Sequence, residues 1–379
     1  MVRPIHLSSQ LVTSVLATCA LVALAHGDPV IESVDGTLMS GETVSIQGRG
    51  FGSKPFAKPL FYFPFGDGAT VSDPTLSRSE LPLAYGEIVS VSGGIVADFT
   101  NDGASGGSAT GRAPAIVSSG SNFALRRWFG GVHDSGMGIR VNLPEAGING
   151  GRENLIVFWR EYHTWTDRAG PADHNWKVVR FSGGDSARNQ VRLYENGHLY
   201  LQASTGSDFE RDDLPGTNMS RQLPGVWTTH LLEHVVSDID RWNGIDRWFY
   251  EGSLNVETES ALHRTAGNPG MNHELHWYEY TRGQNEDDYT FFDVVYVDNS
   301  LARVFISDSP TWTSNRLQTL EIQVPVEWSD TQISVALRAG PLLTLPGRYL
   351  YVFDSTGKVN EFGYPLCTKC PKAPSLTAQ

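Results

Sequence analysis

Residues Asp288 to Ile306 read Asp-Tyr-Thr-Phe-Phe-Asp-Val-Val-Tyr-Val-Asp-Asn-Ser-Leu-Ala-Arg-Val-Phe-Ile. From Phe291 to Val297 both faces of a strand would be apolar, except at Asp293. Such a strand belongs inside a sandwich of sheets, not at a half-wet surface. Asp293 then needs a cationic side chain, backbone N–H donors or a bound cation, because an unpaired charge in an apolar interior is very costly. The stretch predicts an all-β protein with this strand in its core.

Composition points the same way. The chain has 39 glycines, 11 % aromatic residues and Gly/Ser/Asn/Asp turn clusters at short intervals, and no long segment carries apolar residues at a 3.6 period. The net charge is −13 and basic residues never cluster, which excludes duplex nucleic acid as a partner. Arg3, the apolar run Leu11 to Leu24 and the small residues around Ala25-His26-Gly27 form a signal peptide over residues 1–27, so the protein is expected to be secreted. The apolar run is too short for a membrane span, and no later stretch qualifies. Cys19 would leave with that segment. Cys367 and Cys370 remain as either a small disulfide loop or a free pair in a tail, 367–379. Pro365 and Pro371 bracket them in a polar context, which argues against a redox motif at a helix N-terminus.

Strands are expected at Leu155–His163, Trp176–Phe181, Gln190–Glu195, His198–Gln202, Thr228–Val236, Arg247–Glu251, Leu275–Thr281 and Thr290–Val297, with Asn196-Gly197 as a hairpin turn. At the N-terminal end, Glu42-Thr43-Val44-Ser45-Ile46-Gln47-Gly48 runs into Gly50-Phe51-Gly52. This resembles the opening of IPT/TIG immunoglobulin-like domains. Those domains need about 80–100 residues to close a sandwich, and three further strands near the C-terminus supply the remainder. The resemblance therefore implies a small split Ig-like (IPT/TIG) β-sandwich, residues 28–66 and 314–366, with residues 67–313 inserted as one large domain. Two unrelated β units at the two ends are the other reading.

Nine of the ten Trp and nine of the eleven His lie between Trp128 and Trp312, so any site belongs to the large domain. Period-2 alternation puts His276, Tyr278 and Tyr280 on one face, Arg160 with Tyr162 on another, and Trp176 with Arg180 on a third. Gathered on one sheet, these would line a groove for an acidic polymer. They are also residues that sheets use routinely.

The strand around Asp293, the run Asn175-Trp176-Lys177-Val178-Val179-Arg180-Phe181, and Trp227–Val236 followed by Trp248-Phe249-Tyr250-Glu251-Gly252 resemble strands of concanavalin A-like jelly rolls. That group includes lectins and polysaccharide lyases. The resemblance implies a jelly-roll sandwich at 67–313 and a polysaccharide partner. Lyases of this fold use Tyr or His as base and acid, with Arg neutralising a uronate carboxylate. Carried onto this chain, that implies catalytic roles for Tyr278, His276 and Arg180, and substrate contacts from Arg160, Tyr162, Trp176 and Tyr280. The compact alginate-lyase motifs are absent, as is the Glu-x-Asp-x-x-Glu run of glucanases. The expectation is thus a secreted protein that binds an acidic glycan. A lyase acting by β-elimination and a surface protein that meets a protein partner through the Ig-like part are the alternatives. No cofactor is required, and structural calcium at Asp293 would fit the group.

His230-Leu231-Leu232-Glu233-His234 matches the H-x-x-E-H pattern of metallopeptidases. That chemistry needs a helix, and the flanking residues favour a strand. On a strand the two His would stand about 13 Å apart, too far for one metal.

Overall fold

The structure, a computed structural model, describes residues 27–64, 154–163, 225–266, 288–313 and 318–367 together with the further strands named below. In chain order the strands begin with β1 (Val30–Asp35), β2 (Thr43–Arg49), β3 (Phe61–Pro64), β4 (Ser79–Pro82), β5 (Ile88–Ser90), β6 (Val96–Asn101), β7 (Ala115–Ser119) and β8 (Asn122–Phe129). They continue with β9 (Met137–Asn142), β10 (Asn154–His163), β11 (Trp176–Ser182), β12 (Gln190–Glu195), β13 (Leu199–Thr205), β14 (Glu210–Asp213), β15 (Trp227–Val235) and β16 (Gly244–Tyr250). The last are β17 (Ser253–Ala261), β18 (Glu274–Trp277), β19 (Asp288–Asp298), β20 (Arg303–Ser307), β21 (Leu320–Trp328), β22 (Gln332–Ala336), β23 (Arg348–Phe353) and β24 (Tyr364–Leu366). The fold is all-β.

Three sheets result. A nine-stranded sheet has the order β17-β16-β15-β10-β19-β8-β7-β4, with β3 also paired to β19. An eight-stranded sheet runs β14-β13-β12-β11-β18-β9-β6-β5. Both are antiparallel, and they meet where Trp159 packs edge-on to Trp277 with ring centroids 6.2 Å apart. This arrangement is consistent with a jelly-roll sandwich. The third sheet takes strands from both ends of the chain, in the order β1-β2-β22-β21-β20-β23-β24.

Strand β21 joins two halves of that third sheet. Residues 320–323 pair with β20 and residues 324–328 with β22, and the register shifts after Pro325, which has no N–H to give. One apolar core, with Val44, Ile46, Phe51, Val304, Ile306, Val335 and Val352, fills the space between the halves. A second core packs the other face of β20, β21 and β23 against the nine-stranded sheet: Phe305, Ile322, Tyr351 and Phe353 meet Ile156, Phe158, Leu231, Val294 and Tyr296. Strand β20 alternates between the two cores and is buried at every position. The boundaries expected at 66 and 314 shift accordingly. Strand β3 joins the nine-stranded sheet, and β20 joins the third sheet.

Asp293 sits where β19 changes neighbours. Arg160 pairs with Val294 and Glu161 with Phe292, so Asp293 is the extra residue of a β-bulge. On its other edge β19 pairs with β8 up to Phe292 and with β3 from Val294 onward. The bulge brings the Asp293 carboxylate to the side of β19 that faces β21. There Arg160 Nη1 lies 2.9 Å from one oxygen and Arg338 Nη2 donates to the other at 2.9 Å. Glu321, on β21, accepts a short hydrogen bond from Arg338 Nη1 and lies 3.9 Å from Arg160. All four side chains are buried. Calcium does not fit this carboxylate, because two guanidinium groups hold its oxygens and would repel a cation.

Two more buried pairs cross the same interface. Lys54 lies 2.5 Å from Asp298, which also accepts the Tyr296 hydroxyl at 2.7 Å. Arg303 pairs with Glu233 and lies over the Phe353 ring at 3.7 Å. Removing one partner of a buried pair strands the other charge, at about 3–5 kcal/mol. Arg338→Met is therefore expected to lower the urea-unfolding free energy by about that amount, and a loss below about 1 kcal/mol would contradict the quartet's role. Burial raises the Glu321 carboxyl to about 7, against the pull of Arg338 and Arg160. A folded pKa above the ordinary 4.5 makes its contribution full below that value and lost as pH rises through about 7. The stability of wild type relative to Glu321→Gln should thus fall between about pH 5 and pH 8, and a flat or rising difference would contradict it.

Candidate functional site

Strand β18 carries Leu275 and Trp277 toward the nine-stranded sheet, both fully buried. His276 lies between them in sequence. On β11, Val178 and Val179 are buried and Arg180 follows them. The register makes Arg180 and His276 Cα partners across β11 and β18. It continues from His276 to Arg140 on β9 and Asp98 on β6, and from Arg180 to Arg192, Gln202 and Asp213 on β12, β13 and β14. Seven neighbouring strands thus place Asp98, Arg140, His276, Arg180, Arg192, Gln202 and Asp213 in one row. At about 4.8 Å per strand the row spans roughly 29 Å. Three arginines and a histidine occupy its middle, and a carboxylate residue stands at each end.

Of the residues expected from sequence, the fold brings His276 and Arg180 together. Trp176 opens the strand that carries Arg180, β11. Val178 and Val179 are both buried, and the register shifts between Lys177 and Val179. Before that shift Trp176 is the Cα partner of Glu195 and Lys177 that of Tyr194. Arg160 and Tyr162 lie in the other large sheet, on β10. Arg160 is spent on Asp293, so it lines no groove. Tyr162 is half-buried among Trp227 and Phe291, with ring centroids 5.6 and 6.0 Å away. Tyr278 and Tyr280 lie outside the described residues. Arg140 and Arg192 went unnoticed in the sequence, although Ile139/Val141 and Val191/Leu193 flank them with the alternation that would have found them.

The H-x-x-E-H histidines lie on strand β15, as its β-favouring neighbours imply, and serve two separate carboxylates on the inner face. Trp248 Nε1 donates to His230 Nδ1 at 3.3 Å, so the His230 proton resides on Nε2, 3.2 Å from Glu161 Oε1. His163 Nε2 approaches the same oxygen at 3.3 Å, and its Nδ1 lies 3.1 Å from Thr290 Oγ1. Burial alone would raise the Glu161 carboxyl, but the His163 and His230 donors hold it well below the usual carboxylate range. Burial lowers the His163 pKa, against the pull of Glu161.

The second carboxylate, Asp246, accepts from His234 Nδ1 at 2.6 Å and His263 Nε2 at 2.7 Å. Against the opposing effect of burial, His263 and His234 pull it below the usual range. The ligand atoms of His234, Asp246 and His263 all lie within 4.8 Å of one another, the spacing of a metal site. The donor set does not suit one. The Ser237 N–H donates to His263 Nδ1 at 3.1 Å, which leaves the proton on Nε2, the atom that would have to bind the metal. Both clusters are therefore carboxylates clamped by imidazole N–H groups.

No protein-family model matches the chain, and no curated protein matches it. Among solved structures it is similar to an endo-β-1,4-glucuronan lyase from the fungus Trichoderma reesei, with 12 % identity, TM-score 0.38, and coverage of 64 % of this chain and 97 % of that one. An alginate lyase from Aplysia kurodai gives 13 % identity and TM-score 0.37 over 64 % of this chain and 100 % of that one. The binding domain of botulinum neurotoxin serotype G gives 6 % identity and TM-score 0.34 over 70 % and 71 %. Likeness at this level carries no activity, substrate or residue role across to this chain.

The clamp geometry fixes two tautomers. Long-range nitrogen–proton NMR at neutral pH is expected to find the proton on Nε2, with Nδ1 bare, for His230 and His263. An Nδ1-protonated or doubly protonated ring at either position would contradict the assignment.

Proposed function

We propose that the chain binds an acidic extracellular polysaccharide across the outer face of its eight-stranded sheet. One observation carries this reading: the backbone register lines up Arg140, His276, Arg180 and Arg192 on four adjacent strands of a protein whose net charge is −13. Concentrating cations on one face of an acidic protein suits a ligand with regularly spaced carboxylates. Arginine is the side chain that meets a carboxylate with two parallel hydrogen bonds. The N-terminal 27 residues support export, and the motif at Glu42–Gly52 supports an Ig-like reading of the unit built from the two chain ends. That unit would be the place for a protein partner. No helix among the described residues is long and apolar enough to cross a membrane.

A second reading is favoured by the position of His276, the Cα partner of Arg140 on one side and of Arg180 on the other. Flanking arginines would neutralise a uronate carboxylate and make the C5 proton removable. His276 would take that proton, the electron pair would form the C4–C5 double bond, and the C4 glycosidic oxygen would leave and be protonated.

Arg180→Ala and Arg140→Ala are each expected to weaken retention in polyglucuronate or alginate gels about ten-fold or more, since one charge-assisted contact is worth about 1.5–3 kcal/mol. Unchanged retention in both would refute binding at this face. A rise in ultraviolet absorbance on incubation with these polymers, lost in His276→Ala, would decide for the lyase. Silence on every uronate polymer would leave binding alone.

A further inference from the structure

Strands β15 and β16 are joined by residues 236–243, a connection tied by several hydrogen bonds. Asp238 N–H donates to Asn243 Oδ1 at 2.9 Å, and Asn243 Nδ2 returns a bond to Asp238 Oδ2 at 2.7 Å. Arg241 N–H donates to the Asp238 carbonyl at 3.2 Å. Asp240 holds a positive φ of 55°, in the left-handed region that Asp enters more readily than most non-glycine residues. It is constrained from both sides, its N–H donating to the Arg264 carbonyl at 3.1 Å and its Oδ1 accepting from Ala266 N–H at 3.1 Å. Beneath the turn, the hydroxyl of buried Ser237 accepts from the N–H groups of His263 and Arg264, at 2.9 and 3.3 Å, and the Ser237 carbonyl accepts from Arg264 Nε at 2.8 Å. The Asp246 clamp holds His263 in turn.

This fixed turn displays apolar side chains to solvent. Trp242 is 61 % exposed and Ile239 40 % exposed. Scattered apolar residues on a surface are ordinary. Two on one cross-pinned turn are not, since the same backbone would hold polar residues equally well. Around them stand the exposed polar residues Asp238, Asp240 and Arg241.

We propose that Trp242, with Ile239 and Arg241, forms a second saccharide contact, in which the indole face stacks on a sugar ring and the neighbouring polar groups bond its hydroxyl substituents. Three observations select this occupant. Two side chains offer far less than the roughly 800 Å² per partner of a stable protein interface. Asp238 and Asp240 oppose an anionic lipid surface. A rigid aromatic ringed by hydrogen-bonding groups matches a ring that is apolar on its faces and polar around its rim. The contact is separate from the eight-stranded sheet and goes beyond the reading above.

The test uses the full chain and its variants Trp242→Ala, Trp242→Phe and Arg180→Ala. Retention is measured in gels containing polyglucuronate, alginate, xylan or mixed-linkage glucan. Trp242→Ala should weaken retention about three- to ten-fold on at least one polymer, as expected for loss of one aromatic contact. Trp242→Phe should restore most of it, and both should melt with wild type because the side chain is exposed. Retention of Trp242→Ala equal to wild type on every polymer, or no retention of wild type by any, overturns the proposal. So does a wild-type protein that sediments with phosphatidylcholine or phosphatidylserine vesicles through Trp242 but ignores the polymers. If Arg180→Ala binds as wild type while Trp242→Ala does not, the turn stands and the sheet face falls. The reverse result sinks the turn alone.

Discussion

The carboxylate of Asp293, held between Arg160 and Arg338, is the constraint around which the two parts of the molecule are arranged. Its strand has to carry a charge into an apolar interior, and the charge is tolerable only if cations come to it from both sides. Arg160 comes from the neighbouring strand of the same sheet. Arg338 comes from the far end of the chain, together with Glu321. The large sandwich therefore leaves a buried anion poorly met until the third sheet is docked. The apolar contacts of Phe305, Ile322, Tyr351 and Phe353 supply adhesion without direction. The ionic quartet, with the Lys54–Asp298 and Arg303–Glu233 pairs, selects one orientation, because any slip would strand several charges at once.

The electrostatic organisation separates two uses of charge. Among the described residues, the buried carboxylates of the ionic clusters are met by basic side chains. Glu161 and Asp246 are met by imidazoles, while Asp293, Asp298 and Glu233 are met by Arg or Lys. Elsewhere the backbone register sets His276 and Arg180, with Arg140 and Arg192, on neighbouring strands drawn from segments distant in sequence.

How much of this was legible in the chain depends on the distance over which the deciding contact acts. Alternation identified β10, β15, β16, β18 and β19, since burial of alternate residues is a local property. It does not reveal the register shift between Lys177 and Val179, because one extra residue leaves no local mark in the sequence. Arg160 was misread as a groove residue because its partners lie 133 residues or more along the chain (293 − 160), where no local pattern reaches. Asp293 was recognised as needing compensation, but whether arginine or calcium supplies it rests on how β19 and β21 come together. The boundary at β20 was hidden for a related reason. A strand buried on both faces looks the same whether its neighbours belong to one sheet or to two.

The third sheet also sets an order of events. Strand β2 lies between β1 and β22, pairing Val44 with Val335 across nearly the whole sequence. As the chain is synthesised, β1 and β2 emerge first and can close a hairpin, yet one edge of β2 and the apolar faces of Val44 and Ile46 stay uncovered until the final strands arrive. Contacts of such sequence separation form slowly, and an open strand edge is a template for pairing with another chain. The hazard is therefore temporal. The interval between making the first hairpin and the last strands is when the protein is most exposed to self-association, and whatever shortens or shields that interval governs how much of it reaches the folded state.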